Sequence, residues 1–183
     1  MGTAIIALLL AFAQEPPVPT FGTTVYSNSG FTGQIYHVPP GTPHLPKFSK
    51  LQSKGAIYTT SLNVPARNFR EGFPGVTERW EWFAIGYTGK FWIGNTAFYR
   101  FSLTADDAGK LYIDGHEVVN NDGIHSPRTR TGRRQLKRGV HTMRVEYMQG
   151  PADQVALVLE IAGPGEDFHV FNTNDFRPPP DGK

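Results

Sequence analysis

Alternating hydrophobic and polar positions between residues 98 and 161 predict a series of short β-strands. In the first of them, Tyr99, Phe101 and Leu103 share one face and Arg100 lies on the other. A period of two residues places alternate side chains on opposite faces of a strand. No segment of this region has a 3.6-residue period. Many short strands at regular spacing are typical of an antiparallel β-sandwich, so we predict an all-β fold.

Turn signals separate the predicted strands. Asp114-Gly115 is a strong signal for a two-residue β-hairpin. The basic turn 137–139 predicts a further hairpin that leads into a strand over 140–147. The strand that ends at Asp106–Asp107 is expected to turn through Gly109 into the next strand. Residues 155–161 predict one more strand.

The pattern before residue 98 is less regular. The segment 21–75 is rich in turn residues and predicts irregular structure with loosely defined strands. Residues 56–62 and 76–85 are the two candidate strands here, and the second carries Trp80, Trp82 and Phe83. We expect part of this aromatic cluster to be core and part to be available for stacking on sugars.

Composition narrows the class of protein. The chain has 183 residues, with 20 Gly and 15 Pro, which suits one turn-rich β domain. Its formal net charge is only +2, so no overall field favours nucleic acid as a partner. It contains no cysteine, which excludes disulfides, zinc–thiolate sites and cysteine nucleophiles.

The N-terminal residues resemble an export signal. Residues 4–12 form an apolar run that is too short to span a membrane, and Ala11-Phe12-Ala13 is a small-x-small cleavage pattern. The alternative is an N-terminal core strand or anchor. We expect a signal peptide at 1–13, a proline-rich linker at 14–20, a β-sandwich domain at 21–177 and a disordered tail at 178–183. The mature protein would be secreted, extracellular or periplasmic, with no membrane span.

Two adjacent carboxylates, Asp106 and Asp107, are the first candidate for chemistry. They stand at the end of a predicted strand, where two like charges cost stability unless a cation or hydrogen-bond donors offset them. Calcium is held by clustered carboxylate and carbonyl oxygens, usually on loops. The alternative is that both side chains accept backbone hydrogen bonds and order the turn.

The stretch from Arg79 to Ile161 resembles the PA14 domain, a β-sandwich module of bacterial toxins, glycosidases and yeast adhesins. The resemblance rests on several motifs in the right order. They are Arg79-Trp80-Glu81-Trp82-Phe83, Tyr87-Thr88-Gly89, Tyr99 to Asp107, Leu111 to Gly115, Val118 to Asn121, His125, Leu136 with Gly139, and Arg144 to Tyr147 followed by Leu157-Val158-Leu159.

The resemblance implies a glycan-binding or protein-interaction module. In the adhesin branch, an adjacent acidic pair joined by a cis peptide bond holds a calcium ion that also binds sugar hydroxyls. Asp106 and Asp107 match that pair. A second calcium loop normally supplies an Asn, and the corresponding residue here is Gln149, with Asp153 as a further candidate ligand. His125 is a candidate to line the acidic site.

A basic run is the second candidate for binding. Arg128 and Arg130 are candidate ligand-binding residues, because such a run attracts anionic polysaccharide or cell-wall polymer. The alternative is a solvated loop and hairpin. His141 faces the apolar side of its strand and is expected to be a structural core residue. The run comprises Arg128, Arg130, Arg133, Arg134, Lys137 and Arg138.

No motif in the chain predicts catalysis. The sequence has no GxSxG, no phosphate-binding loop and no HExxH. We therefore expect a secreted, non-enzymatic lectin-like module with calcium as cofactor and a glycan or cell-surface polysaccharide as partner. The alternative is a structural subunit of an extracellular filament or surface layer, which contacts itself or other surface proteins through exposed strand edges. Light scattering distinguishes the two.

Overall fold

The computed structural model describes residues 30–68, 71, 73 and 79–179. The predicted signal peptide, the linker and residues 180–183 of the tail lie outside these ranges. The described residues form eleven β-strands and one short 3₁₀ turn at Phe48–Lys50. The strands are β1 (Phe31–His37), β2 (Gly55–Thr59), β3 (Asn63–Asn68), β4 (Phe83–Ile93), β5 (Ala97–Asp106), β6 (Ala108–Ile113), β7 (His116–Asn121), β8 (Arg128–Leu136), β9 (Gly139–Gln149), β10 (Gln154–Ala162) and β11 (His169–Val170).

The strands form two antiparallel sheets. The six-stranded sheet has the order β2-β1-β4-β9-β6-β7, and the five-stranded sheet contains β11-β10-β5-β8, with β3 also paired to β10. The inner faces of both sheets pack one hydrophobic core. This arrangement confirms the predicted antiparallel β-sandwich. The largest fully buried side chains are Tyr87, Tyr147, Phe31, Phe83, Phe101, Phe171, Leu62, Ile85, Ile93, Leu103, Leu111 and Ile113.

The alternation read from the sequence is confirmed in the central strands. Tyr99, Phe101 and Leu103 of β5 are buried, and Arg100 is exposed. The β6–β7 hairpin turns at Asp114 (φ 50°) and Gly115 (φ 77°), which are the positive angles that a two-residue turn of this type requires. His141 is buried, as predicted, and its Nδ1 lies 2.6 Å from Asp114 Oδ2.

One predicted turn and one predicted hairpin are instead crossings between the sheets. β5 belongs to the five-stranded sheet and β6 to the six-stranded sheet, so the chain passes between the sheets at Asp106–Asp107. Gly109 lies inside β6 rather than in a turn, where a Cβ would stand 3.0 Å from the Cβ of Ala105. β8 and β9 likewise lie in different sheets. Period-two alternation indicates strands but does not reveal which sheet each one joins.

The prediction for the N-terminal part was also wrong in detail. The segment expected to be irregular contains β1 and β3, which were not predicted, and β2, which matches the candidate strand over 56–62. The candidate strand over 76–85 begins only at Phe83 and continues to Ile93, because residues 80–82 form a bend. Residues 76–78 of that prediction lie outside the described ranges. Backbone pairing with β4 and β10 makes these N-terminal segments strands despite their turn-rich composition.

Candidate functional site

The two aspartates lie at one end of the sandwich, where three connections meet. The register of the strands places the ends of β5 and β9 and the starts of β6 and β10 near one another. Asp106 pairs with Ala156 at the start of β10, and Ala108 pairs with Met148 near the end of β9. Ala105 pairs with Arg128 at the start of β8. We call this the site end; it comprises the β5–β6 crossing, loop 122–127 and loop 150–153.

Asp107 connects the two loops of the site end. Its Oδ2 accepts a hydrogen bond from the Gly150 amide at 2.6 Å, and its Oδ1 accepts one from the His125 amide at 3.1 Å. Burial raises the pKa of Asp107, and the hydrogen bonds from these two amides oppose that rise. The hydrogen bonds named above as the alternative to a metal are therefore present at Asp107.

Asp106 has a different environment. It is only 5% exposed, and within the described ranges no group donates a hydrogen bond to its carboxylate. Burial, together with the charges of Asp107 and Asp153, raises the pKa of Asp106 to about 7. The peptide bond between Asp106 and Asp107 is cis, as the resemblance implies. Asp106 is thus an oriented acid whose charge the described residues leave uncompensated.

A buried tyrosine contacts the main chain of the Asp106–Asp107 pair. The Tyr147 hydroxyl lies 2.6 Å from the Asp106 carbonyl oxygen and 2.6 Å from Gln149 Oε1. Both partners are acceptors, so they share the single hydroxyl proton. Burial raises the pKa of Tyr147 well above its usual value, and the neighbouring charges of Asp106 and Asp107 act in the same direction. Tyr147 is therefore a neutral donor that holds the main chain of the acidic pair.

Gln149 is fully buried, and its amide group fixes the loop that follows it. Besides contacting Tyr147, it donates from Nε2 to the carbonyl oxygen of Gln154 at 3.1 Å. Asp153 is exposed in the same loop, and its charge reaches Asp106. The structure thus places Asp153 beside the acidic pair and gives the Gln149 oxygen a hydrogen-bond partner within the protein.

His125 and Arg128 belong to a network behind Asp107. The His125 ring nitrogens lie 2.9 Å from the Ser126 carbonyl and 3.1 Å from the Asn121 carbonyl. Arg128 Nε donates to Asn121 Oδ1 at 2.7 Å, and Asn121 Nδ2 donates back to the Arg128 carbonyl at 2.7 Å. These contacts hold loop 122–127 against β8. Arg130 is exposed two residues further along β8.

The segment before β4 packs against loop 150–153. The Trp82 amide donates to the Gly150 carbonyl at 3.2 Å, and Glu81 Oε2 accepts from the Ala152 amide at 3.0 Å. Trp82 has φ 56°, a rare conformation for a bulky residue. Trp80 is 48% exposed in the same segment. The cluster of tryptophans therefore divides into an exposed Trp80 and a partly buried Trp82.

Three residues that support the site did not emerge from the sequence: Tyr147, Gly150 and Asn121. Position 150 favours glycine, since a Cβ would stand 2.7 Å from Ile124 Cδ1 and 2.9 Å from Asp107 Oδ2, and these atoms would have to shift. A glycine directly after the predicted ligand Gln149 was the available signal. Within the described ranges, no group of three or more His, Cys, Asp or Glu side chains converges as a metal site.

Comparison with known proteins identifies the family. The family model described as PA14 domain matches residues 27–167. The chain belongs to the PA14 domain family. The comparison with curated proteins found no significant match. Among the described residues, no helix is long and apolar enough to cross a membrane.

Solved structures share the PA14 fold with this chain. The "PA14 sugar-binding domain from RTX adhesin" is similar with a TM-score of 0.65 and 17% identity, over 80% of this chain and 96% of that one. An "anti-sigma factor domain-containing protein" is similar with a TM-score of 0.64 and 17% identity, over 83% of this chain and 49% of that one. The Epithelial Adhesin 9 A domain from Candida glabrata, in complex with Galβ1-3GlcNAc, has a TM-score of 0.56 and 12% identity, over 88% and 95% of the two chains.

Proposed function

We propose that this PA14 domain is a carbohydrate-binding, adhesin-like module in which Asp106 and Asp107 hold a calcium ion at the site end. The observation that carries the proposal is the environment of Asp106. Its carboxylate is buried, lies beside a second carboxylate and receives no hydrogen bond from the described residues. A bound cation is the simplest partner for such a group.

The donor set at the site end suits calcium. The candidate ligands are all oxygens, which hard cations prefer, and the described residues include no cysteine. Asp106 and Asp107 would hold the ion and Asp153 would be a further ligand, with backbone carbonyls of loop 150–153 nearby. Bound calcium would supply coordination positions for the hydroxyl groups of a glycan. Gln149 would act mainly by anchoring this loop through Gln154.

Two of the similar structures support carbohydrate as the ligand class. One is described as a sugar-binding domain of an adhesin, and the other is an adhesin domain in complex with Galβ1-3GlcNAc. Trp80, which is exposed next to loop 150–153, would offer a flat apolar surface to a sugar ring. We propose a binding role without catalysis, in a protein exported by the predicted signal at residues 1–13.

Calorimetric titration of the protein with calcium tests the metal site. We expect binding with a Kd of about 10⁻⁴–10⁻³ M, the range of extracellular calcium modules. Asp106→Asn and Asp107→Asn should abolish the heat, and Asp153→Asn should weaken it. Asp114→Asn is the matched control. Asp114 is hydrogen-bonded to His141 and Thr142 and lies in the turn of the β6–β7 hairpin, outside the site end. Absence of binding by the unsubstituted protein at millimolar calcium would refute the metal site.

A further inference from the structure

Two arginines face each other on the outer surface of the five-stranded sheet. Arg100 of β5 is the direct cross-strand partner of Arg133 of β8, and both are exposed. Their neighbours along β5, Tyr99 and Phe101, point into the core, so the arginines point outward. Like charges directly opposite each other on a sheet are destabilising unless an anion offsets them.

Each guanidinium group of this arginine pair lies over an aromatic ring. Arg100 lies 5.0 Å from the centroid of Phe168, and Arg133 lies 5.7 Å from that of Phe98. Arg100 also donates to the carbonyl oxygen of Glu166. Such contacts orient a planar guanidinium before a ligand arrives, and Phe98 remains 58% exposed. Both arginines are therefore oriented by contacts with aromatic rings and remain exposed to solvent.

The arginine pair has no carboxylate partner within the described ranges. The salt bridges there involve Lys110, Arg144, His44 and His141, but neither Arg100 nor Arg133. The nearest acid in strand register is Glu160, which pairs with Ser102 and accepts its hydroxyl hydrogen bond at 2.9 Å. Glu166 Oε2 is occupied by the Gly163 amide at 2.9 Å. The positive charge of the pair is thus uncompensated.

We propose that Arg100 and Arg133 form a second binding site, which holds acid groups of an anionic polysaccharide. The planar guanidinium fork of each arginine matches the oxygens of a carboxylate or sulfate. Thr131, which is exposed in the next cross-strand pair, adds a hydroxyl beside the arginines. The site lies six residues along β5 from Asp106, roughly 20 Å at about 3.3 Å per residue. It needs neither calcium nor the function proposed for the site end.

The surroundings favour an acidic glycan over nucleic acid. Glu160 lies one row away on the same outer face, so the positive surface is not a continuous stripe. Nucleic acid carries a charge at every phosphate and is bound by series of basic residues that track its backbone. An acidic polysaccharide spaces its charges with neutral ring and hydroxyl surface, which the exposed ring of Phe98 and the exposed hydroxyl of Thr131 suit.

Calorimetry with hexagalacturonate in EDTA tests the proposal. The protein carries Asp106→Asn, so that no result at this site depends on calcium. We expect measurable affinity, reduced about tenfold by either Arg100→Gln or Arg133→Gln through loss of a charge-assisted hydrogen bond. Arg138→Gln is the matched control, because Arg138 also lies 5.7 Å from an aromatic ring, that of Trp92, but is not part of an arginine pair. It should change affinity less than twofold. Unchanged melting temperatures establish that the variants fold.

Three further probes complete the test: neutral maltohexaose, a sulfated hexasaccharide and a single-stranded thymidine oligonucleotide. If the sulfated hexasaccharide binds more tightly than hexagalacturonate, and its binding depends on Arg100 and Arg133 in the same way, the site is supported and its anion is sulfate. No binding of either acidic sugar would overturn the proposal. It would also be overturned by equal losses in Arg138→Gln, by equal affinity for maltohexaose, or by tighter binding of the oligonucleotide.

Discussion

Asp107 and Gly150 are matched to each other at the site end. The Gly150 amide donates to Asp107 Oδ2 at 2.6 Å, and a Cβ at position 150 would stand 2.9 Å from that same oxygen. The carboxylate therefore needs a residue that donates an amide hydrogen and has no side chain. This relationship fixes loop 150–153 against the acidic pair.

Gly150→Ala should destabilise the protein by about 1–3 kcal/mol, as overpacking of a tight interior site does. The added methyl group would stand 2.7 Å from Ile124 Cδ1 as well as close to Asp107. Urea unfolding measures the change. Gly55→Ala is the control, because a Cβ there has nothing within 4 Å, and it should leave the free energy of unfolding nearly unchanged. Equal effects at both positions would contradict the close fit.

The two aspartates should differ in calcium-free protein. Asp107→Asn should lower the free energy of unfolding by about 1–3 kcal/mol, because an amide cannot accept both backbone hydrogen bonds equally well. Asp106→Asn should instead raise it at pH 8, by about 1–3 kcal/mol, because it removes a buried charge near Asp107 and Asp153. Chemical unfolding in EDTA measures both. Similar losses in the two variants would contradict their different roles.

Stability of the calcium-free protein should fall as pH rises. The folded state holds a proton on Asp106 up to about pH 7, whereas the unfolded carboxyl releases it near pH 3.8. The contribution of Asp106 is therefore fully present below pH 3.8 and is lost as pH rises through about 7. The free energy of unfolding of Asp106→Asn, measured across this range in EDTA, should show a shallower slope.

A second aspartate contributes the opposite slope in a separate range of pH. Burial would raise the pKa of Asp114, but hydrogen bonds from His141 and Thr142 hold it below its usual value of 3.8. Its contribution to stability is present above pH 3.8 and is lost as pH falls through its folded pKa. The effect of Asp106 can therefore be read above pH 3.8. An unchanged slope in Asp106→Asn would contradict the raised pKa of this residue.

Two buried tyrosines provide a matched test of the hydrogen bonds that the Tyr147 hydroxyl makes next to the Asp106–Asp107 pair. Tyr147 and Tyr87 are both fully buried, but only the Tyr147 hydroxyl has hydrogen-bond partners among the described residues. Tyr147→Phe should destabilise the protein by about 1–2 kcal/mol, and Tyr87→Phe should be neutral or stabilising. Thermal unfolding compares them. A larger loss in Tyr87→Phe would contradict the assigned hydrogen bonds.

Local pattern was enough to predict the sandwich and the position of the acidic pair. Phe101 and Leu103 are buried and Arg100 is exposed because one face of β5 meets the core. The sheet to which each strand belongs did not follow, since the sequence predicted only a turn between β5 and β6, whereas the chain crosses there from one sheet to the other. That choice depends on long-range pairing with β8 and β9, which local alternation does not record.

The residues that support the site could not be predicted from local sequence patterns, for a similar reason. Asp107 is separated in sequence from Gly150 by loops and four strands, so their hydrogen bond is visible only in three dimensions. The arginine pair is equally non-local, because Arg100 and Arg133 meet through the pairing of β5 with β8. The sequence indicated an excess of basic residues in this region but not which two would face each other.

Binding to an array of neutral glycans, with calcium and with EDTA, tests the central claim most directly. Neutral sugars exclude any contribution of the arginine pair. We expect retention of one class of glycan in calcium, loss of that retention in EDTA, and loss in both Asp106→Asn and Asp107→Asn. Retention that is equal in calcium and EDTA, or unchanged in both variants, would contradict it.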